Sequence, residues 1–131
     1  YFRNYFPIRI EKLLVYQKSL QFIEWLSNNI DCANYKIPII NQLDRASISI
    51  LLNIAEGNSR TTSNDKCRYF DISRASAMEC AACLDILFVK KIINETINQT
   101  GKKYILEIVS MITGLIKSKS NRVYETQEEY K

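Results

Sequence analysis

Apolar residues recur at three- and four-residue spacing in four separate stretches of the chain, a pattern typical of helices that bury one face. It predicts helices over residues 11–29, 38–56, 63–94 and 102–118. No stretch alternates at period two for long, which argues against strands. Because short polar segments join the helices, consecutive helices are expected to run antiparallel. The pattern therefore predicts an all-α protein, an antiparallel up-down-up-down four-helix bundle in one domain over residues 1–131.

Local signals predict where the middle helices begin and end. Pro38 suits the first turn of the second helix, since its missing N–H has no partner there in any case. Gly57 is a natural helix stop and is expected to end that helix after residue 56. Thr62, followed three residues later by Asp65, forms a capping box that opens the third helix.

The remaining segments are expected to be irregular. Residues 94–101 are polar and close on a glycine, so they are expected to form the third connection. Pro7 predicts an extended lead-in over residues 1–10. The tail, residues 119–131, has no sustained apolar period and is expected to be loose.

The second helix carries a strip of polar side chains beside its apolar stripe. At one hundred degrees per residue, this strip contains Gln42, Arg45, Ser49, Asn53 and Glu56. Since burying polar groups unpaired is costly, we expect them to bond to one another and to Ser76 and Glu79 of the third helix. Arg45 is the expected partner of Glu79, and removing one member of such a buried pair is expected to destabilise the fold by several kcal/mol.

The same carboxylates have a functional interpretation. Glu56 and Glu79 would form a pair suited to acid–base catalysis or metal binding. However, metal sites of ferritin-like bundles use Glu-x-x-His motifs, and this chain contains no histidine. A structural polar network that fixes helix register is the favoured interpretation.

A second apolar patch lies on the second helix, away from its core stripe. It contains Ile48, Leu51, Leu52 and Ala55. A bundle helix needs only one buried face, so the patch indicates either broad burial in a small bundle or a subunit interface. We favour self-association, because monomeric proteins rarely leave a contiguous patch of isoleucine and leucine exposed to solvent.

Composition narrows the function classes. The 131 residues are 47% hydrophobic and 24% charged, with a net charge of +4 that permits weak attraction to nucleic acid. The absence of histidine removes the commonest general base and metal ligand. No apolar run is long enough for a membrane span. We therefore expect no enzyme activity, no cofactor, no metal and no small-molecule substrate.

Four cysteines fit a reduced, cytoplasmic protein. Cys80-x-x-Cys83 resembles a redox or zinc motif, but it lies in the middle of a predicted helix among alanines. Redox pairs of this spacing gain their low pKa from a helix N-terminus. Both residues are expected to fill the core as small apolar side chains.

Basic residues concentrate modestly around the second connection and the third helix, at Arg60, Lys66, Arg68 and Arg74. They are either ordinary solvated charges or phosphate contacts. In a symmetric oligomer a weak patch is repeated in every subunit, which favours a nucleic-acid-binding role.

Three motifs carry a family resemblance. Residues 13–19, LLVYQKS, are similar to a Leu-x-Val-Trp-Gln-Lys-Ala pattern, and residues 53–57 read Asn-Ile-Ala-Glu-Gly. Ser76-x-x-Glu79 matches the end of an Ala-x-Gly-Ser-x-x-Glu motif, with Ser73 and Ala75 in place of its alanine and glycine. The chain resembles the four-helix-bundle family encoded in intervening sequences of bacterial 23S rRNA genes.

This resemblance implies a fold, an assembly and a binding role. Similar proteins form ring-like pentamers, and a related branch, the accessory protein of diversity-generating retroelements, binds a reverse transcriptase and nucleic acid. We therefore expect a non-enzymatic homo-oligomer, most plausibly a pentamer, that binds structured RNA or a nucleic-acid-processing partner. The alternative is a purely structural or protein–protein interaction bundle with no nucleic-acid role.

Overall fold

A computed structural model describes residues 13–34 and 36–119, and these residues form four helices. They are α1 (Leu14–Asn29), α2 (Pro38–Ser59), α3 (Ser63–Val89) and α4 (Glu95–Lys119). Each helix packs on the next in sequence, and α4 returns to pack on α1. Within these two ranges there is no strand, so the predicted all-α four-helix bundle is confirmed. None of the helices in the described part of the chain is long and apolar enough to cross a membrane.

One face of every helix is buried in a common core. The largest fully buried side chains include Phe22 of α1, Ile50 of α2, Phe70 of α3 and Ile112 of α4. On α1 the buried positions are Val15, Ser19, Phe22 and Leu26, whereas Leu20 is 44% exposed. Ser19 is accommodated because its hydroxyl donates to the Val15 carbonyl over 2.7 Å. The apolar Leu20 therefore lies outside the core, whereas the serine before it lies inside.

The predicted stop at Gly57 is wrong, because α2 continues to Ser59. A Cβ atom on Gly57 would lie 2.7 Å from Cε1 of Phe70 and 3.1 Å from the Lys66 carbonyl oxygen. The glycine therefore provides the space in which α2 and α3 approach each other closely. Both predicted helix starts agree with the structure: Pro38 is the first residue of α2, and Thr62 accepts from the Asp65 N–H over 3.2 Å.

The third connection is shorter than predicted, because α3 ends at Val89 and α4 begins at Glu95. Asn94 supplies the start signal, since its Oδ1 accepts from the Ile97 N–H over 2.9 Å. Gly101 lies inside α4, where a Cβ atom would come within 2.6 Å of Leu84 and 2.9 Å of Trp25. A polar stretch with a glycine was interpreted as a loop, but its asparagine caps a helix and its glycine makes a close helix contact.

The remaining boundary predictions fall at the edges of the described residues. The helix α1 begins at Leu14, and the predicted start at residue 11 lies outside the described residues. The same holds for the predicted lead-in over residues 1–10 and for residues 120–131 of the predicted tail.

Candidate nucleic-acid interface and polar seam

Five of the seven predicted network residues meet along the contact between α2 and α3, which we call the polar seam. Gln42 donates to Glu79 Oε1 over 3.0 Å, and the hydroxyls of Ser49 and Ser76 lie 2.8 Å apart. Asn53 donates to the Ser49 carbonyl over 2.9 Å and to its hydroxyl over 3.1 Å. The Gln42–Glu79 and Ser49–Ser76 bonds join α2 to α3 at two levels, and Asn53 holds the Ser49 side chain from within α2.

Sequence reasoning missed one further contact of the seam. The Ser73 hydroxyl is fully buried and donates to the Ile50 carbonyl over 2.7 Å. The signal that would have found it is the run of serine and alanine on α3, because a small hydroxyl side chain permits a close approach to a neighbouring backbone.

Arg45 lies outside this network, contrary to prediction. Its side chain and that of Glu79 are both exposed, and among the described residues no ion pair joins them. Arg45 instead lines an open cleft of about 520 Å³ together with Gln42, Ser49 and Glu79. An exposed arginine keeps its hydration, so the expectation of a costly buried pair does not apply.

Glu56 is also separate from the seam. It is exposed and forms an ion pair with Arg60, one helical turn further along the chain. Glu79 lies beside Gln42, to which it is hydrogen-bonded. Glu56 is fourteen residues after Gln42 in α2, so the two carboxylates are separated by roughly 20 Å along the helix axis. Glu56 and Glu79 are therefore not brought together and do not form a paired-carboxylate site.

Three of the four predicted phosphate-binding cations converge where the α2–α3 connection meets the end of α4. We call this cluster the basic end and define it as Arg60, Lys66, Arg68, Tyr69 and Lys119. The Arg60 guanidinium lies 4.7 Å from the centre of the Tyr69 ring and donates to its hydroxyl over 2.9 Å. Arg68 is exposed, with its guanidinium 5.8 Å from the same ring.

Lys66 links this cluster to α4. Its ammonium donates to the Asn58 carbonyl over 3.1 Å and is half-buried. Partial burial, together with the charge of Lys119, lowers the pKa of Lys66 below its ordinary value. A lysine in this state gains from an anion that replaces the lost hydration.

The fourth predicted cation, Arg74, belongs to a different contact. It donates to Thr113 Oγ1 of α4 over 3.3 Å and pairs with Asp71 at 3.5 Å. Its charge is therefore used between α3 and α4 and not at the basic end.

The predicted interface residues of α2 lie on a largely apolar surface. Leu52 is 60% exposed and Ile48 is 40% exposed, whereas Leu51 and Ala55 are half-buried. Broad burial therefore explains the last two but not the first two.

The helix α1 extends the same surface. Lys18 and Trp25 lie on the α1 flank that contacts α4, through the Lys18–Glu107 ion pair and the Trp25–Tyr104 ring contact. At one hundred degrees per residue, Tyr16, Leu20 and Ile23 fall on the opposite flank, next to α2. We call these three residues, with the four of α2, the α1/α2 apolar face. Sequence reasoning identified only the α2 half of this face.

The cysteines are placed as core residues. Cys67, Cys80 and Cys83 are buried, and no disulfide is formed among the described residues. Burial, then the nearby Cys83 and Glu79, raises the pKa of the Cys80 thiol far above its ordinary value, which disfavours the reactive thiolate. No group of three or more metal-ligating side chains occurs in residues 13–34 and 36–119.

Comparison with known proteins gives a family and a fold. The profile of the 23S rRNA-intervening sequence protein family matches residues 11–114. A solved protein of unknown function from Bacteroides thetaiotaomicron VPI-5482, assigned to the S23 ribosomal protein family, superposes with a TM-score of 0.73 at 22% identity. That match covers 79% of this chain and 96% of the other. No curated protein matches the sequence. Because the family profile spans most of the chain, the protein belongs to the 23S rRNA-intervening sequence protein family.

Proposed function

We propose that this protein is a non-enzymatic, self-associating bundle that binds structured RNA through the basic end. The observation that carries the proposal is the convergence of Arg60 and Arg68 on Tyr69, with Lys66 beside them at the Asn58 carbonyl and Lys119 of α4 close to Lys66. Membership of a family named for an rRNA intervening sequence is consistent with an RNA partner, although the name alone assigns no activity.

The chemistry of the basic end suits phosphate contact better than base stacking. Tyr69 is half-buried and already holds the Arg60 guanidinium over its ring, so we assign it a positioning role. Arg68 is exposed and offers a planar group that binds phosphate through two parallel hydrogen bonds. Lys66, two residues before Arg68 in α3, adds a second cation.

Self-association through the α1/α2 apolar face would multiply this charge. Leu20, Ile48 and Leu52 leave apolar surface in solvent, which a neighbouring subunit would cover. A ring, with five subunits as the favoured number, repeats the basic end once per subunit. Several weak phosphate sites on one ring can then bind the same RNA molecule. Once one site is occupied, the others meet the RNA at high effective concentration, so the overall affinity rises.

The RNA proposal is tested by charge reversal with a matched control. Lys66→Glu with Arg68→Glu changes the basic end by four charges, and Lys90→Glu with Lys91→Glu makes the same change at the opposite end of the bundle. Binding of a fluorescent RNA hairpin, measured by anisotropy across a salt series, should weaken about tenfold or more in the first variant and lose about two units of salt slope. The control should bind nearly as the parent does.

Equal weakening in both variants would leave only a diffuse charge effect and would contradict the assignment. A parent that does not bind RNA, or binds with affinity independent of salt, would favour the protein–protein alternative.

Self-association is tested by native mass spectrometry of Leu52→Glu beside Val89→Glu. Val89 is 77% exposed and lies at the end of α3, away from the α1/α2 apolar face. We expect the first variant to dissociate and the second to keep the parent assembly. A monomeric parent would contradict the ring, and dissociation in both variants would contradict the chosen face.

A further inference from the structure

A second apolar surface, which we call the α3/α4 groove, lies on the side of the bundle opposite the α1/α2 apolar face. The groove has a volume of about 540 Å³, and in it Leu106 is 70% exposed and Met78 is 56% exposed. Ala81, Ile105 and Val109 complete its apolar lining. The bundle therefore carries two apolar surfaces on opposite sides, and surfaces of this kind mark interaction sites in soluble proteins.

The rim of the α3/α4 groove is cationic. Lys102 and Lys103 both line it. Lys102 is partly neutralised, because its ammonium lies 2.9 Å from Asp85 Oδ1. Lys103 is exposed and makes no ion pair with any residue in the described part of the chain. A surface that complements the groove therefore presents apolar side chains and, at one end, a carboxylate.

The α1 half of the α1/α2 apolar face has this chemistry. Tyr16 and Leu20 lie one turn apart, and Glu24 follows after one further turn, so the three share a side of the helix. Leu20 is 44% exposed. Glu24 is exposed and has no cation within ion-pair distance among residues 13–34 and 36–119. The surface thus runs from apolar to acidic along α1.

The two surfaces also present their apolar centres at the same height along the bundle. Lys18 of α1 pairs with Glu107 of α4 at 2.7 Å, which fixes the alignment of these antiparallel helices. Leu20 follows Lys18 by two residues, and Leu106 precedes Glu107 by one. Since each residue advances a helix by about 1.5 Å, the heights of Leu20 and Leu106 differ by only about that amount.

The charged ends of the two surfaces match in the same way. A Cβ on Gly101 of α4 would lie 2.9 Å from the Trp25 ring of α1, so these two residues are at one height. Glu24 precedes Trp25, and Lys102 and Lys103 follow Gly101, which is the same direction along the bundle. Two copies placed side by side, parallel and pointing the same way, therefore bring the carboxylate to the lysines and the apolar centres to each other.

We propose that the α3/α4 groove receives the α1/α2 apolar face of a second copy of this chain, with Leu20 against Leu106 and with Glu24 facing Lys102 and Lys103. This inference rests on the self-association proposed above and names the surface that receives the neighbour. The contact is head-to-tail, because it joins two different surfaces and leaves one of each for further copies. Such contacts close into a ring, whereas an α1/α2 apolar face packed on itself would stop at a dimer.

Two variants, each with one surface blocked, test the head-to-tail contact. Leu20→Glu blocks the α1/α2 apolar face and leaves the groove intact, and Leu106→Glu does the reverse. In native mass spectrometry each variant alone should be a monomer. An equimolar mixture, with one variant ¹⁵N-labelled, should give a dimer of one chain of each, because only one intact pair of surfaces remains.

Leu14→Glu is the matched control. Leu14 is 69% exposed, as Leu106 is at 70%, but it lies on the α1/α4 side of the bundle beside Met111 and Leu115. This variant should keep the parent assembly. Circular dichroism of each variant checks that the helices remain.

The outcomes separate this contact from self-association in general. If Leu106→Glu keeps the parent assembly, the groove assignment is overturned while self-association stands. Two monomeric, folded variants that form no mixed dimer would also overturn the head-to-tail contact. A monomeric parent would contradict self-association and the groove contact together.

The charged ends provide a second test that leaves the apolar surfaces unchanged. Glu24→Lys and Lys103→Glu should each raise the concentration at which the assembly half-dissociates by about tenfold, because each places like charges together. Both changes in one chain should return that concentration close to the parent value. Glu24→Lys combined with Lys90→Glu, an exposed lysine outside the groove, should not be rescued. Equal rescue by both combinations, or by neither, would overturn the pairing of Glu24 with the groove.

Discussion

The α2/α3 and α1/α4 interfaces belong to one bundle but are built with different chemistry. The distinctive contacts between α2 and α3 are a glycine packed against a ring, Gly57 on Phe70, and the Ser49–Ser76 hydroxyl pair. Between α1 and α4 they are large and aromatic, with the Tyr104 ring tilted against those of Phe22 and Trp25 at centroid separations of 6.0 and 5.7 Å.

This difference separates two requirements of a small bundle, which are the alignment of its helices and the burial of apolar surface. Hydrogen bonds within the protein replace bonds to water, so each contributes only about 1 kcal/mol net but strongly penalises a shift that breaks it. Large buried aromatics contribute more free energy and constrain the register less. The α2/α3 interface therefore fixes alignment, and the α1/α4 interface contributes mainly burial.

The largest expected effect is at the aromatic interface. Phe22 is completely buried, so Phe22→Ala removes its transfer free energy and leaves a cavity. Unfolding free energy, measured by denaturant titration with circular dichroism, should fall by about 3–5 kcal/mol. A loss no larger than that of the seam variants below would contradict the proposed division of tasks.

Gly57 gives the next effect, and Gly114 provides its control. Gly57→Ala places a methyl group against the rigid ring of Phe70 and the Lys66 carbonyl, and overpacking of this kind costs about 1–3 kcal/mol. Gly114 also lies within a helix, but a Cβ there meets nothing within 4 Å. Gly114→Ala should therefore stabilise by up to about 1 kcal/mol through helix propensity. A Gly57→Ala variant as stable as Gly114→Ala, or more stable, would mean that α2 and α3 do not approach as described.

The serine pair of the seam should show coupling. Ser49→Ala and Ser76→Ala should each cost about 1 kcal/mol, because each breaks the bond between the two hydroxyls. In the second variant Ser49 keeps its bond from Asn53. The double variant should cost less than the sum of the two, since both polar groups are then gone. Strict additivity in the double-mutant cycle would show that the two hydroxyls do not depend on each other.

The smallest effect is expected for Arg45→Ala. The side chain is exposed and unpaired among the described residues, so the unfolding free energy should change by less than about 0.5 kcal/mol. A loss of several kcal/mol would restore the buried ion pair with Glu79 that the sequence suggested.

These cases show which features the sequence carries and which it does not. Helical spacing, Pro38 and the Thr62 cap are local signals, so the fold and two helix starts follow from them directly. A glycine can either end a helix or allow a close contact between helices, and the local sequence does not distinguish the two. Gly57 and Gly101 both look like helix ends in the sequence. Their role as contact positions is shown only by the rings of Phe70 and Trp25 beside them. Ser19 is buried and Leu20 is exposed for a similar reason, because the rotation of α1 about its axis is set by its packing on α2 and α4 together.

The polar residues follow the same rule. Ser49, Asn53 and Ser76 are short, so their position on the helix largely determines their partners. Arg45 and Glu56 have long side chains that can extend into solvent, to a residue one turn away or to a neighbouring helix. Their position on the helix alone does not determine which of these contacts forms. Arg60, Lys66 and Arg68 lie close together because the connection between α2 and α3 is short, which the sequence indicates. Their proximity to Lys119 depends on how α4 packs, which the sequence does not indicate.

The buried cysteines allow unfolding of the chain to be measured by thiol labelling. Cys67, Cys80 and Cys83 are enclosed by the bundle, and Cys32 is only half-buried. A brief pulse of a thiol-alkylating reagent therefore adds at most one label to an intact molecule and four to an opened one. Because burial and the nearby Asp44 and Asp31 raise the pKa of Cys32, even that first label is added slowly. Mass analysis after such pulses would read the opened fraction directly, without any engineered probe.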